Sequence, residues 1–467
     1  MGKDLRGFLK QLEEKSGSGG FIRITKPVEA EFGITAILQK LEDRNKFPAV
    51  LFENVVDKNG RRYEFPVLAN LFAARERLAM AIDSTPRTLA EDYTEREKPL
   101  APVVVSRKDA PVKEVIARGS DVDLSKFPIV THHTMDLGPY ITAGDVWVKD
   151  PETGDINCAV LRIWASGKNQ MVANWNPARH TNVIYRKYLE LGKPMPFVTI
   201  IGHHPAFYMG AQTKTPCNEP EIIGGVMGEP LEVVPSETWG EEFMVPARAE
   251  VVIEGEVMPG DLEVEAPFGE FTLYYGAQKL SNVVNIKAIT HRKDAIYLDV
   301  FAGHRDHLFM DVAQIEAALL NRLKWVARGV QKVYVPPSGC CRFHAYISMK
   351  KMNDGEPRSV IATALTADFR LKHVIVVDDD VDVFDEEEVL WAVATRSQWD
   401  KDLLILPRVV GTRLDPSADE TLTCKAGIDA TKPAPPKPFL ERISVPEEAL
   451  NKIRLEDYVD ENTLRGL

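Results

Sequence analysis

The chain has 467 residues, 44% hydrophobic and 27% charged, the balance of a soluble globular enzyme long enough for about two to four domains. Its 57 lysines and arginines against 69 aspartates and glutamates leave a net charge of -12, which argues against nucleic acid or an anionic membrane as a general partner but leaves room for a local basic phosphate pocket. Cys158, Cys217, Cys340, Cys341 and Cys424 include no CxxC pair, so neither a disulfide framework nor a zinc knuckle is indicated, and a reducing cytoplasm fits best. No apolar signal core follows Met1, and no segment approaches the ~20 apolar residues of a membrane span.

Leu5, Phe8, Leu9 and Leu12 follow Asp4 at helical spacing, which predicts a capped amphipathic helix ending near Ser16 to Gly20. Ile34, Ile37, Leu38 and Leu41 repeat the pattern, and the short apolar runs Phe21 to Ile24, Ala49 to Phe52 and Val67 to Ala69 read as strands. Together they make a mixed α/β region to about residue 110. From Phe127 to about Ala302 strands dominate: Tyr140 to Val148, Ala159 to Trp164, Phe197 to Ile201, Ala249 to Val257 and Val283 to Thr290. Pro151 to Asp155 and Met258 to Asp261 carry the Pro, Gly and Asp that reversals need, so a barrel or sandwich is expected there. Asp311 then precedes a long helical run through Val326 that Gly329 closes, read as a linker helix. Val333 to Val335, Phe343 to Met349, Val374 to Val377 and Leu403 to Leu406 predict strands, and Glu386 to Arg396 a helix capped by Asp385. Lys432 to Pro438 is proline-stiffened, and the residues from Pro446 read as a terminal helix able to dock on another subunit.

The most telling stretch is Glu263-Val264-Glu265-Ala266-Pro267-Phe268-Gly269-Glu270, three carboxylates around a Pro-Phe-Gly bend. Such a bend cannot form one helix face, so Glu265 and Glu270 can turn into one pocket. There, one carboxyl held protonated by its neighbour could act as a general acid while the other stays ionised. An acidic turn in an acidic protein is the ordinary alternative; a partner cation decides between them. Arg162 is a candidate, because a guanidinium forks onto a carboxylate. Asn157 lies five residues before it, on the opposite face of a regular strand, so both reach one pocket only through a bulge or strand end.

His180 and Glu219, with Asn157, offer an imidazole, a carboxylate and an amide oxygen that suit Mn²⁺ or Mg²⁺, although their spacing alone does not unite them. His203-His204 reads as a loop or edge position. His304-Arg305-Asp306-His307 precedes the linker helix and could close over a pocket. Asp378 to Asp382 resembles an acidic metal loop but lacks the Gly and Glu of an EF-hand, so a strand end followed by helix caps is the plainer reading.

These pieces together resemble the UbiD family of prenylated-FMN-dependent decarboxylases. The family carries Glu-x-Pro-Phe-Gly-(Glu/Asp), matched by Glu265 to Glu270, and Asn-x-x-x-x-Arg, matched by Asn157 to Arg162. Its metal histidine matches His180, its metal glutamate matches Glu219 ahead of Gly224-Gly225, and the stretches Val376 to Asp382 and Trp391 to Arg396 are also family-like.

The resemblance implies an α/β multidomain fold: an N-terminal α/β domain (1–115), a central split β-barrel that binds the flavin (116–308), a linker helix (309–330) and a C-terminal α/β oligomerisation domain (331–467). It implies a non-oxidative carboxy-lyase, whether or not the reaction also runs in reverse. The substrate would be an aromatic, heteroaromatic or α,β-unsaturated acid, and the reaction would pass through a covalent substrate adduct to prenylated FMN. Asn157, His180 and Glu219 would hold Mn²⁺ or Mg²⁺ against the flavin phosphate, with K⁺ nearby on backbone carbonyls. Asn157, Cys158, Ala159, Val160, Leu161, Arg162, Arg179, His180 and Glu219 would line the cofactor. Arg162 would orient the substrate carboxylate, Glu265 would brace Arg162, and Glu270 would deliver the proton. Implied partners are a flavin prenyltransferase as cofactor supplier and further copies of the chain in a homodimer or homohexamer.

Where some members place a lysine on the flavin phosphate, this chain has Thr366, with Arg370 and Lys372 close by. Arg179 can meet the flavin or a polar substrate, and His304 and His307 fall where the substrate end of the pocket is lined. Two other readings remain at this stage: an FMN-binding split-barrel oxidoreductase, and a non-catalytic metal-binding assembly subunit.

Overall fold

The structure is a computed structural model that describes residues 2–15, 20–175, 179–215 and 217–460. Its first helix, Leu5–Lys15, buries Leu5, Phe8, Leu9 and Leu12, the stripe that the spacing predicts. The expected helix end falls on residues 16–19, outside the described residues. The Phe21–Ile24, Ala49–Phe52 and Val67–Ala69 strands form one sheet, whose fourth strand, Tyr297–Leu298, arrives from much later in the chain and pairs parallel to Val67 and Leu68. This return ties the loop after the barrel to the N-terminal layer.

Six strands build the central barrel: Tyr140–Lys149, Ile156–Trp164, Gln170–Ala173, Met195–Ile201, Val251–Glu265 and Lys279–His291. Gln170–Ala173 pairs with Lys279–His291 as well as with Ile156–Trp164, and that double pairing closes the sheet on itself. Closure removes free edges except where a short strand leaves its neighbour uncovered. Met258 to Asp261 is not a reversal. The Val251–Glu265 strand runs through it, absorbing the extra residues as an irregularity between Val257 and Leu262, with Gly260 at φ 75°. Pairing with the long Lys279–His291 strand on both sides of the irregularity outweighs the local turn preference. The helices His180–Leu191 and Glu219–Met227, absent from the sequence reading, lie in the connections between barrel strands.

After the barrel, Val312–Val326 forms the expected long helix. Asp311 sits at its N-cap position, yet its side chain makes no capping bond, because two arginines claim the carboxylate. The C-terminal sheet orders its strands as Val330–Tyr334, His344–Met349, His373–Asp378, Leu422–Ala430 and Leu403–Val410. Asp385 caps Glu386–Arg396 as expected, accepting the Glu387 and Glu388 N–H groups. The acidic run holds cations of the chain itself: Arg396 bridges Asp378 and Asp380, and Arg87 pairs with Asp382. No helix among the described residues is long and apolar enough to cross a membrane.

Candidate active site

A cavity of about 520 Å³ opens between the barrel and the C-terminal sheet region, lined by all six residues from Asn157 to Arg162 and by Arg179, His180, Glu219 and Glu270. That volume suits a cofactor-sized ligand. Two features let Asn157 and Arg162 share it despite their odd separation. Thr142 and Ala143 stand opposite Arg162 alone, because Ile141 pairs with Ile163 and Gly144 with Leu161; this bulge re-aims the strand. In addition, Gln170–Ala173 covers Ile156–Trp164 only at Ile163 and Trp164, so the edge from Asn157 to Leu161 faces the cavity.

Arg162 lies between two carboxylates. Its Nε and Nη2 donate to Glu265 at 3.0 and 3.1 Å, and its Nη1 forms an ion pair with Glu270 Oε1. The pairing is bidentate on Glu265 and fixes the guanidinium plane. Glu265 is fully buried and Glu270 6% exposed, so both lie away from bulk water. Glu265 is secured from behind. The Tyr140 hydroxyl donates to its Oε1 at 3.0 Å, while Asn174 donates to Ser281 Oγ at 2.7 Å beside its Oε2. Burial, and then the Glu265 charge, raises the Tyr140 pKa far above the ordinary phenol value, so Tyr140 remains a donor. Between the two glutamates, Ala266 takes φ 77°, uncommon for a residue with a Cβ. Phe268–Gly269 pairs with Tyr275–Gly276 as a small hairpin that carries Glu270 at its turn. Phe268 packs on Tyr140 at 4.4 Å between centroids and under the Arg162 guanidinium at 5.4 Å. Glu263 has no ion-pair partner among the described residues.

His180 and Glu219 are the first residues of their helices. Burial raises the Glu219 carboxyl to about 8, which marks a carboxylate short of positive charge. Its Oε2 accepts the Cys158 N–H, and Asn157 donates Nδ2–H to the Cys158 carbonyl, leaving the Asn157 amide oxygen for another partner. A divalent ion supplies what this set lacks, so these residues fit one. Among the described residues no group of three or more His, Cys, Asp and Glu could hold a metal; the set here counts an amide in place of a third such residue.

The C-terminal wall of the cavity joins Arg370, which the sequence places beside the expected phosphate-lysine position, to Arg342 and Asp311, to which sequence reasoning gives no place in a site. Arg342 donates to Asp311 at 2.6 Å, and Arg370 reaches the same carboxylate at 3.3 Å. Burial pushes the Asp311 pKa up, but the two arginine charges outweigh it and hold it below the ordinary value. Lys214, Phe271 and Phe369 line the cavity too. Thr366 bonds the Ala362 carbonyl on an exposed helix face and Lys372 pairs with Asp415, so of the cations near the expected phosphate-lysine position it is Arg370 that faces the cavity. The four-residue histidine cluster divides. His307 lines the cavity, whereas His304 stacks on Phe301 at 3.7 Å and bonds Glu42 of the N-terminal region at 2.8 Å. His203 and His204 lie in a loop, as expected, between the Met195–Ile201 strand and the Pro205–Gly210 helix that His204 caps, but both are buried. Nothing local in the sequence marks Arg342 or Asp311 as part of this wall; of the three, Arg370 alone stands beside the expected phosphate-lysine position.

A closed six-strand barrel followed by a C-terminal α/β region is the fold that comparison with known proteins places among the carboxy-lyases. Models of the 3-octaprenyl-4-hydroxybenzoate carboxy-lyase N-terminal, Rift-related and C-terminal domains match residues 11–97, 103–305 and 309–430, and the chain belongs to this UbiD family. It is 34% identical over 449 residues, 95% of this chain and 99% of the other, to an anhydromevalonate phosphate decarboxylase of Methanosarcina mazei. The UbiD-class enzyme HmfF of Pelotomaculum thermopropionicum, solved in complex with FMN, superposes with a TM-score of 0.91 at 38% identity, covering 98% of this chain and 100% of that one. The vanillic acid decarboxylase of Sedimentibacter hydroxybenzoicus in its open form gives 0.84 at 29% identity, covering 96% and 97%.

Proposed function

We propose that this carboxy-lyase removes CO₂ without net oxidation from an aromatic, heteroaromatic or α,β-unsaturated carboxylic acid, using prenylated FMN, with Glu270 as proton donor. The observation that carries the reading is Arg162 held between Glu265 and Glu270 in the wall of one cavity. When bound, the flavin supplies an electron sink for the carbanion that loss of CO₂ leaves. Arg162 has one edge braced on Glu265 and the other free to turn from Glu270 to the substrate carboxylate, which it orients. Glu270, buried beside Phe268 and Phe271, then delivers a proton to the carbon that has lost CO₂. The apolar side chains around it keep water from competing.

Asn157, His180 and Glu219 would hold Mn²⁺ or Mg²⁺, with K⁺ on neighbouring carbonyls, and the free edge from Asn157 to Leu161 would run along the flavin. The division at residues 115, 308 and 330 follows the same reading. So does assembly through the C-terminal region, where Leu440 and Ile443 are exposed. The decisive experiment compares the absorbance and mass of the cofactor in protein made with and without a flavin prenyltransferase, then screens carboxylic acids for CO₂ release. Turnover only with the prenylated cofactor is expected; full turnover with unmodified FMN overturns the proposal. The relatives' names span a phosphorylated acid and an aromatic one, so the far end of the cavity selects the acid.

A further inference from the structure

Glu270 rides on a segment that has already left the barrel. The Val251–Glu265 strand ends at Glu265, and Phe268–Gly269 pairs with Tyr275–Gly276 alone. Two residues paired with two make a marginal hairpin by themselves, and Leu273 and Tyr274 at its tip are 66% and 61% exposed. A proton donor that must meet one carbon needs firmer support, since a displacement of ~1 Å can cost about a hundredfold in rate.

The support comes from the loop at 131–137, which leads toward the Tyr140–Lys149 strand. Three bonds cross from it to the hairpin. Asp136 Oδ1 accepts the Gly269 N–H at 2.9 Å, the Leu137 N–H donates to the Pro267 carbonyl at 3.2 Å, and the Met135 N–H donates to the Tyr275 hydroxyl oxygen at 3.2 Å. The Asp136 side chain is fully buried, and its ionised acceptor makes the Gly269 bond the strongest of the three. Its second oxygen accepts the His133 N–H at 2.9 Å and lies 3.4 Å from His133 Nδ1. Burial pushes the Asp136 carboxyl up, but the His133 ring and the two N–H groups outweigh it and hold it below the ordinary value. Loop and hairpin meet closely at Gly269. A Cβ there would collide with the His133 ring, so only a residue without a side chain lets the imidazole lie against the hairpin.

The loop is itself anchored on its far side. The buried His132 ring meets both carboxylate oxygens of Asp299 at 3.1 and 3.0 Å, and the Thr35 hydroxyl donates to the His132 carbonyl at 3.1 Å. His133 stacks on Phe301 and His304, at 5.7 and 5.9 Å between centroids. The grip on the hairpin therefore starts from fixed ground.

We propose that Asp136 is a positioning residue for proton delivery: by holding the Gly269 N–H it fixes the main chain one residue before Glu270, and with it the reach of the Glu270 carboxyl. Asp136 is not among the residues that line the cavity, so it acts through the hairpin and not on the substrate. This rests on the decarboxylase reading and adds a residue to it.

Two variants break the contact from opposite sides. Asp136→Ala removes the acceptor, and Gly269→Ala forces the His133 ring away. Hydrogen exchange read by mass spectrometry, on enzyme loaded with metal and unprenylated FMN, needs no substrate. In each variant segment 267–276 should exchange at least about tenfold faster, while the Lys279–His291 strand is unchanged. On the acid that releases CO₂ fastest in the screen, kcat should fall about tenfold or more with KM within about threefold of the wild type. The double variant should be no slower than the slower single one, because both break one contact. Unchanged exchange in Asp136→Ala overturns the proposal, as does faster exchange with a normal kcat, a loss confined to KM, or losses that multiply in the double variant. Exchange that rises equally in the barrel strand overturns it too, since the effect would then be one of stability. Failure of the parent reading shows separately, as no CO₂ from any acid by the prenylated wild type.

Discussion

The Tyr140 hydroxyl and the Arg162 Nε–H converge on one atom, Glu265 Oε1, each at 3.0 Å. An oxygen that accepts from two donors is held in place, and the guanidinium it anchors inherits that fixity. Hydrogen bonds to charged groups contribute about 1.5–3 kcal/mol. Tyr140→Phe should therefore lower kcat by roughly tenfold or more while flavin content stays near one per chain. A substitution without effect on kcat would show that Arg162 alone orders Glu265.

Glu270→Gln keeps the shape of the hairpin and removes the proton. Turnover should vanish while metal and flavin remain bound, read by metal analysis and absorbance on the same sample. A near-normal rate would remove Glu270 as the donor.

Glu219→Ala should lower Mn²⁺ and flavin content together, since this carboxylate would hold the proposed metal, whose charge would offset that of the flavin phosphate. An unchanged metal content would refute the role.

Asp311 offsets two arginines, each less than a tenth exposed. Asp311→Ala leaves them facing one another, and breaking a buried pair in this way typically costs about 3–5 kcal/mol. A drop of that size in unfolding free energy is expected by urea titration. A drop below ~1 kcal/mol would mean that water already screens the cluster.

Burial lowers both His203 and His204 to about 3. The unfolded chain binds their protons near pH 6.5 and the folded chain does not, so stability is fully present above that pH and is lost as pH falls toward 3. Each histidine should cost about 2 kcal/mol at pH 5. His203→Asn should reduce the stability difference between pH 7 and pH 5 by that amount, whatever its absolute cost. A difference as large as that of the wild type would show that His203 titrates normally.

Local pattern was enough for the first helix, the three N-terminal strands and the Asp385-capped helix, because each is specified by apolar spacing and capping within its own segment. The Glu265 to Glu270 bend and Arg162 were legible for a related reason: a dense motif on a rigid turn limits what its side chains can do. Met258 to Asp261 misled, since cross-strand pairing overrode turn-forming residues. The His180–Leu191 and Glu219–Met227 helices escaped notice because irregular apolar spacing hides the face that they bury.

What the sequence determined by itself was the family resemblance, the candidate carboxylates and the separate residues offered as ligands. Only the tertiary structure decided that Asn157 and Arg162 share a cavity, through a bulge across the ladder and an uncovered edge. It also brought Asp311, Arg342 and Arg370 to one wall of the cavity that Glu270 lines. Charge pairing joins residues as far apart in the chain as Arg87 and Asp382, and no periodicity along the chain encodes which of them will meet.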